Sequence, residues 1–246
     1  MEYLDAEGQL GEGVFGRRFQ FCPTLKRQAQ KPSDLILTCP RCLDYAARCC
    51  HHVNFESEQA CHHYRLVFTD GACLSNGQSG ATAGIGIAMG ELDGRQWSVP
   101  IDNSIDSFPK RSSQRAELLA AIHALRFLSE TRIKAALESP HGHRQAIMHQ
   151  DDVQDRECWV VTTDSEYVVK GITEWFPQWK ANGWRNVQGR RPGNLDLFMV
   201  LDEEIIAQER RHRVDIGFWH IPREFNRVAD SLAKAAAHIA PALSSQ

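Results

Sequence analysis

Four carboxylates, Asp70, Glu117, Asp164 and Asp230, stand where they could meet at one site. Asp70 closes the β-branched and aromatic run Tyr64-Arg-Leu-Val-Phe-Thr-Asp, and Asp164 follows the apolar run Cys158-Trp-Val-Val-Thr-Thr163. Both runs read as strands, and neighbouring strands deliver such residues to the same sheet edge. Glu117 falls in the first turns of a helix opened by Ser112-Ser-Gln-Arg, and Asp230 on a last helix from about 224 to 237. Each has an ordinary alternative: a turn start for Asp70, a helix cap for Asp164, a first-turn charge for Glu117, a solvated helix position for Asp230. Four ionised carboxylates at close quarters repel unless some are protonated or divalent cations lie between them. All-oxygen ligation favours Mg²⁺ or Mn²⁺ over zinc.

A second group is softer. Of eight cysteines, Cys39, Cys42, Cys49, Cys50 and Cys61 share one stretch with His51, His52, His62 and His63. In a reducing compartment such clustering points to metal before disulfides. Cys39-Pro-Arg-Cys42 and Cys49-Cys50-His51-His52 have the spacing of a small zinc knuckle, with its four ligands drawn from Cys39, Cys42, Cys49, Cys50, His51 and His52. Reduced cysteines packed under a loop are the alternative.

The elements that must position these groups divide the 246 residues into three parts. Residues 1–33 are polar and glycine-bearing, without a sustained period, and are expected to be a flexible leader. Residues 34–63 form the Cys/His-rich module, and residues 64–240 a larger domain. In that domain the strand of Asp70 is expected to end at Gly71, where the chain turns and leaves backbone amides free for a ligand. Ala83-Gly-Ile-Gly-Ile-Ala-Met89 and Gln96-Trp-Ser-Val-Pro-Ile101 add two antiparallel strands. Gly84 and Gly86 have the wrong spacing for a dinucleotide loop, and they read as places of close backbone approach. A helix then runs to about Ser129, and residues 137–156 look like a loop insertion. After the strand of Asp164 come a short helix from Glu166, the segment Glu174-Trp-Phe-Pro-Gln-Trp-Lys-Ala-Asn-Gly-Trp-Arg185, a helix over about 194–211, a strand over 215–221 and the last helix. The pattern predicts an α/β fold with a mixed sheet and helices on its faces. The formal net charge of −3 gives no global nucleic-acid signature, so a polyanion would be held by local basic patches or bound cations. No apolar run reaches the length of a membrane helix and the first residues lack a signal sequence, which predicts an intracellular protein, cytoplasmic or nuclear.

Thr69-Asp-Gly71, Ser113-Gln-Arg-Ala-Glu117, Thr163-Asp-Ser165 and Asn226-Arg-Val-Ala-Asp230 occur in an order and at separations that resemble ribonuclease H, type 1. The resemblance covers about residues 64–238. It implies a five-stranded mixed sheet, three antiparallel strands then parallel ones, flanked by helices. It also implies an endonuclease that hydrolyses the RNA strand of RNA/DNA hybrids and leaves 5′-phosphate and 3′-hydroxyl ends. Asp70, Glu117, Asp164 and Asp230 match the family's metal-binding carboxylates. Two Mg²⁺ or Mn²⁺ ions suit such a site, one activating the attacking water and the other stabilising the leaving oxygen. By the same resemblance Asn76, Ser113 and Gln114 stand where the family touches the minor groove, with Ser113 in place of its usual asparagine. Trp179, Lys180, Asn182, Trp184 and Arg185 match its basic protrusion, with Trp179 on the sugars of the DNA strand. Lys110, Ser112 and Asn194 match its pocket for a DNA phosphate. Arg223 and Glu224 fall where many members carry Gly-His, a departure that bears on rate and metal preference. A non-catalytic hybrid-binding protein on the same scaffold is the second reading, and a retroelement-derived nuclease domain the third. A monomer is expected.

Overall fold

The computed structural model describes residues 12–50, 62–76, 78–138 and 156–241 of the chain. From the N-terminal end the elements are β1 (Gly13–Phe15), β2 (Arg18–Gln20), α1 (Pro23–Gln28), β3 (Ile36–Thr38) and β4 (Tyr45–Ala47). Next come β5 (Tyr64–Leu74), β6 (Thr82–Ala88), β7 (Gln96–Pro100), α2 (Ser113–Glu138) and β8 (Cys158–Thr163). They are followed by α3 (Glu166–Lys170), α4 (Phe176–Ala181), α5 (Leu195–His212), β9 (Asp215–His220) and α6 (Arg227–Ile239).

The expected five strands lie in the order β7-β6-β5-β8-β9, with β7 at an edge, the first three antiparallel and the last two parallel to β5. Every residue of β8 is buried, as a parallel strand covered on both faces requires. The sheet is nonetheless larger than five strands. β4 and β3 extend it beside the first residues of β5, and β2 and β1 beyond β9, giving nine strands among the described residues.

The N-terminal addition corrects the expectation of a flexible leader for residues 12–33; residues 1–11 lie outside the described part. Gly16 and Arg17 both adopt positive φ, 53° and 70°, which makes the tight turn joining β1 to β2. Arg18 then pairs with Phe218, so the hairpin covers the open edge of β9. Phe19 and Phe21 pack beside Tyr64 and Trp219 beneath it. A two-residue turn with only three residues on each arm leaves too short a pattern to be read as a period.

β5 also differs from expectation. The strand runs four residues past Asp70, and Gly71 to Leu74 pair with Ile85 to Thr82, so their amides belong to the sheet. The chain turns later, where Ser75 takes a φ of 55°. Gly71 serves another purpose: a Cβ there would lie 2.1 Å from the Glu117 amide nitrogen, so the glycine lets α2 rest on the strand. Gly84 and Gly86 do the same for α6 on the opposite face, where a Cβ would lie 2.3 Å from Ala237 N and 2.0 Å from Ala229 O respectively.

α2 extends to Glu138 instead of stopping near Ser129, because Ile133-Lys-Ala-Ala-Leu137 continues with residues of good helix propensity. The expected insertion therefore loses residues 137 and 138 to the helix, and residues 139–155 lie outside the described part. One face of the sheet packs against α2 and α5 through Leu118, Ile122, Leu125, Phe198 and Leu201. The other face carries Phe19, Phe21, Leu25, Leu66, Val160 and Ala229. Among the described residues no helix is long and apolar enough to cross a membrane.

Candidate active site and Cys/His centre

Parallel pairing of β5 with β8 stops at Phe68 and Thr162, and both strands then carry an aspartate: Asp70 two residues on in β5, Asp164 just past β8. The glycine contact at Gly71 brings the first turns of α2, with Glu117, against the same place. α6 arrives from the other face through Gly86 and Ala229, which sets Asp230 beside Asp70. Two strands and two helices thus bring all four carboxylates to one sheet edge.

Their side chains are held by neighbours. The Ser165 hydroxyl, which also caps α3 by accepting from Val168 N, donates to Glu117 Oε2 at 2.6 Å. Asn226 Nδ2 donates to Asp164 Oδ1 at 2.6 Å and to the Thr69 carbonyl oxygen at 3.0 Å, linking the start of α6 to both strands. Arg223 Nη2 and Lys234 Nζ each approach Asp230 to 2.6 Å. His220 Nε2 lies 3.3 Å from the Asp164 backbone oxygen, a structural placement.

The electrostatics split the cluster. Burial, reinforced by Asp164 and Asp230, pushes the Asp70 carboxyl up to about 6. Burial also pushes Glu117 up to about 7, with Asp70 and Asp164 adding to the shift against the Ser165 hydrogen bond and Arg223. Asp230 moves the other way: burial raises it, but hydrogen bonds from Lys234 and Arg223 outweigh that and leave it below the usual carboxylate range. Two half-buried carboxyls that resist ionisation, beside Asp164 and beside an Asp230 that Arg223 and Lys234 neutralise, form an all-oxygen donor set of the kind that suits hard divalent cations.

The proposed substrate residues are distributed unevenly. Asn76 and Ser113 come together, the Ser113 amide donating to Asn76 Oδ1 at 3.4 Å, with Gln114 exposed alongside. Ser112 and Asn194 both meet Arg115, whose amide donates to Ser112 Oγ at 3.3 Å and whose Nη1 lies 3.5 Å from Asn194 Oδ1. Asn194 also donates to the Tyr167 hydroxyl, and Lys110 is exposed. In the tryptophan segment, Trp179 stands edge-on to Phe198 with centroids 5.3 Å apart, and Trp184 lies against Phe176 at 5.6 Å. Both are half-buried against the core and keep only part of their surface for a ligand. Lys180 pairs with Asp202 at 2.7 Å, Asn182 ends α4, and Arg185 Nη1 donates to the Gly189 carbonyl oxygen.

Three positioning groups escape sequence reasoning. Arg115, 3% exposed, places a forked guanidinium between Asp106 and Asp196 at 2.8 Å each and so fixes α2 to the start of α5. Asn226 and Ser165 are visible in sequence only as residues near helix starts, a signal that names a cap and not a carboxylate partner.

The Cys/His region departs from the expected ligand set. Cys39, Cys42 and His62 place their donor atoms within 4.8 Å of one another. Cys49 is instead buried in the core, and Cys50 meets Glu12 and Cys22 on the far side of β4. The two cysteine pairs cannot share one ion because residues 45–47 form a strand between them, sending each pair to a different end. His51 and His52 lie outside the described residues.

A mixed sheet with four acids from two strands and two helices at one edge defines an α/β protein with an acidic candidate site. A family profile described as RNase H matches residues 62–238. Ribonuclease H from Aliivibrio salmonicida is 32% identical over 173 residues, spanning 70% of this chain and 86% of the relative. Ribonuclease H1 from Rattus norvegicus is 34% identical over 176 residues, spanning 70% of this chain, and the chain spans only 50% of that relative's length. The crystal structure of LC11-RNase H1 in complex with RNA/DNA hybrid aligns at 22% identity with a TM-score of 0.41, over 70% of this chain and 96% of that one. The chain belongs to the ribonuclease H family.

Proposed function

We propose that the chain is a divalent-cation-dependent endoribonuclease that cleaves the RNA strand of RNA/DNA hybrids, leaving 5′-phosphate and 3′-hydroxyl ends. The observation that carries this reading is the meeting of Asp70, Glu117, Asp164 and Asp230 at one edge, with Asp70 pushed up by burial and by Asp164 and Asp230, and Glu117 by burial and by Asp70 and Asp164. Two Mg²⁺ or Mn²⁺ ions, when bound, would activate water and stabilise the leaving 3′ oxygen. The chain's part is to hold the donors in place. Ser165 keeps the Glu117 carboxylate turned inward, Asn226 fixes Asp164, and Arg223 with Lys234 holds Asp230 until a cation competes for it. Arg223, exposed at the mouth, adds positive charge where the phosphodiester would lie.

Asn76, Ser113 and Gln114 form the surface that would read 2′-hydroxyls, the feature that separates RNA from DNA. Ser112, Asn194 and Lys110 would take a phosphate of the DNA strand beside Arg115, while Trp179, Trp184 and Arg185 would flank its sugars. Lys180 and Asn182 belong to the same protrusion. A structural zinc in the N-terminal region completes the cofactors, and the chain acts as an intracellular monomer in cytoplasm or nucleus.

A cleavage assay on end-labelled hybrid, duplex DNA and duplex RNA, with and without Mg²⁺ or Mn²⁺, tests the reading. Cation-dependent cutting of the RNA strand of the hybrid alone is expected. Hybrid binding without cutting under either cation would establish the non-catalytic alternative.

A further inference from the structure

Cys39 begins the turn Cys39-Pro-Arg-Cys42-Leu43 that joins β3 to β4. The turn is closed by two backbone hydrogen bonds, Leu43 N to Cys39 O at 2.8 Å and Cys39 N to Asp44 O at 2.9 Å. Leu43 is held at a φ of 58°, a left-handed conformation unfavourable for a branched residue. The turn directs the amides of Arg41 and Cys42 to the Cys39 sulfur and brings the Cys42 sulfur within hydrogen-bonding reach of it. His62 arrives from a distant part of the chain, just ahead of β5, with Nε2 3.2 Å from Cys42 Sγ. Cys39 is 4% exposed and Cys42 and His62 are half-buried, so the donor set is set into the surface around a buried sulfur.

We propose that Cys39, Cys42 and His62 bind one zinc ion, which staples the β3–β4 hairpin to the start of the strand carrying Asp70. The proposal refines the zinc component of the reading above, replaces its ligand set, and does not depend on hybrid cleavage. Two sulfurs and an imidazole select zinc over the hard cations suited to the carboxylate edge. The nearby Asp44 carboxylate pairs with Arg65 and Arg95 at 3.0 and 3.1 Å, its Oδ1 accepts no hydrogen bond among the described residues, and it stands outside the group of three donors. Among the described residues no fourth Cys, His, Asp or Glu atom enters the group, so the remaining tetrahedral position is left to water or another donor.

The fold gives the ion something to do. β3 and β4 have three residues each, and β4 pairs with β5 through Ala46 and Arg65 alone. A two-stranded hairpin of that size is marginal in water, and beyond that register position its backbone meets the sheet, among the described residues, only past the end of β6, through Tyr45 N to Met89 O at 2.8 Å and Glu91 N to Leu43 O at 3.0 Å. A bond from residues 39 and 42 to residue 62 closes the intervening stretch and fixes the end of β5 opposite Asp70.

The test uses the full chain purified without chelators, with zinc measured by inductively coupled plasma mass spectrometry. About one zinc per chain is expected for the unaltered protein. Cys42→Ser and His62→Ala should lose most of it, whereas Cys49→Ser and Cys50→Ser should keep it. Cobalt exchange into the unaltered protein supplies a second readout that needs no variant: sulfur-to-cobalt charge-transfer absorption and tetrahedral visible bands are expected. Absence of zinc together with absence of those bands would overturn the proposal, as would equal loss of zinc in Cys50→Ser and Cys42→Ser. Asp70→Asn should retain its zinc while losing cleavage, so failure of the nuclease reading and failure of this one give different results.

Discussion

Gly71 lies so close to Glu117 that a Cβ on it would stand 2.1 Å from the Glu117 amide nitrogen and 2.2 Å from the Ala116 carbonyl carbon. The contact is backbone against backbone, so no side chain can turn aside to relieve it. Gly71→Ala should lift the first turns of α2 from β5 and carry Glu117 away from Asp70. A stability loss of about 2 kcal/mol or more is expected, with cleavage falling further than stability accounts for. Urea unfolding and hybrid cleavage check this, and unchanged values for both would refute the positioning role.

Asp70 and Glu117 keep their protons to about pH 6 and 7 in the folded chain, whereas an unfolded chain releases them near about pH 4. Between those values the folded state binds more protons, so these two groups make the cation-free protein less stable as pH rises from about 4 to about 7. Asp70→Asn removes one of them. In buffer free of divalent cations the variant should melt above the unaltered chain at pH 8 and match it at pH 4, with cleavage abolished. Thermal melts at the two pH values decide it; a lower melting temperature for the variant at pH 8 would contradict the sign.

Asn226 joins Thr69 to Asp164 from the start of α6, and its side chain is 1% exposed. Replacing it by alanine leaves Asp164 without the donor that orients it. Cleavage should fall on the order of 10- to 100-fold, chiefly as a weaker response to Mg²⁺, as happens when a partner of a metal ligand is lost. A magnesium titration of Asn226→Ala that overlays the unaltered enzyme would show that the hydrogen bond does not matter.

Arg115 is the only guanidinium, among the described residues, that bridges two carboxylates across α2 and α5; one of these, Asp106, is itself buried. Arg115→Ala leaves the Asp106 charge only the more distant Arg111, at 3.7 Å, and a loss of about 3 kcal/mol is expected. Arg115→Lys should recover little, since an ammonium cannot present the fork that serves both partners. Equilibrium unfolding of the two variants distinguishes this from simple loss of charge, which lysine would restore.

How much of this was legible beforehand differs from element to element. Thr69-Asp-Gly71 and Thr163-Asp-Ser165 mark two strands because β-branched runs carry their own period, and the five-stranded mixed sheet follows from the order of such runs. Gly71 was misread as a turn because a glycine after an aspartate looks the same whether the backbone bends or another helix approaches. Trp179 illustrates a similar limit: its sequence neighbours are basic, yet Phe198, nineteen positions on in another helix, takes up one edge of its ring.

The sequence by itself determined the element types from residue 64 onward, the central sheet and the chain positions of Asp70, Glu117, Asp164 and Asp230, because periodicity and helix starts are local properties written in neighbouring residues. The tertiary structure decided which of those residues meet. It folded residues 12–20 onto the edge of β9, sent Cys50 to Glu12 and Cys22 while bringing His62 to Cys39 and Cys42, and placed Asn226 between Thr69 and Asp164. Those outcomes depend on close packing between segments far apart in the chain, where one missing Cβ or one three-residue strand sets the geometry, and no local pattern records them.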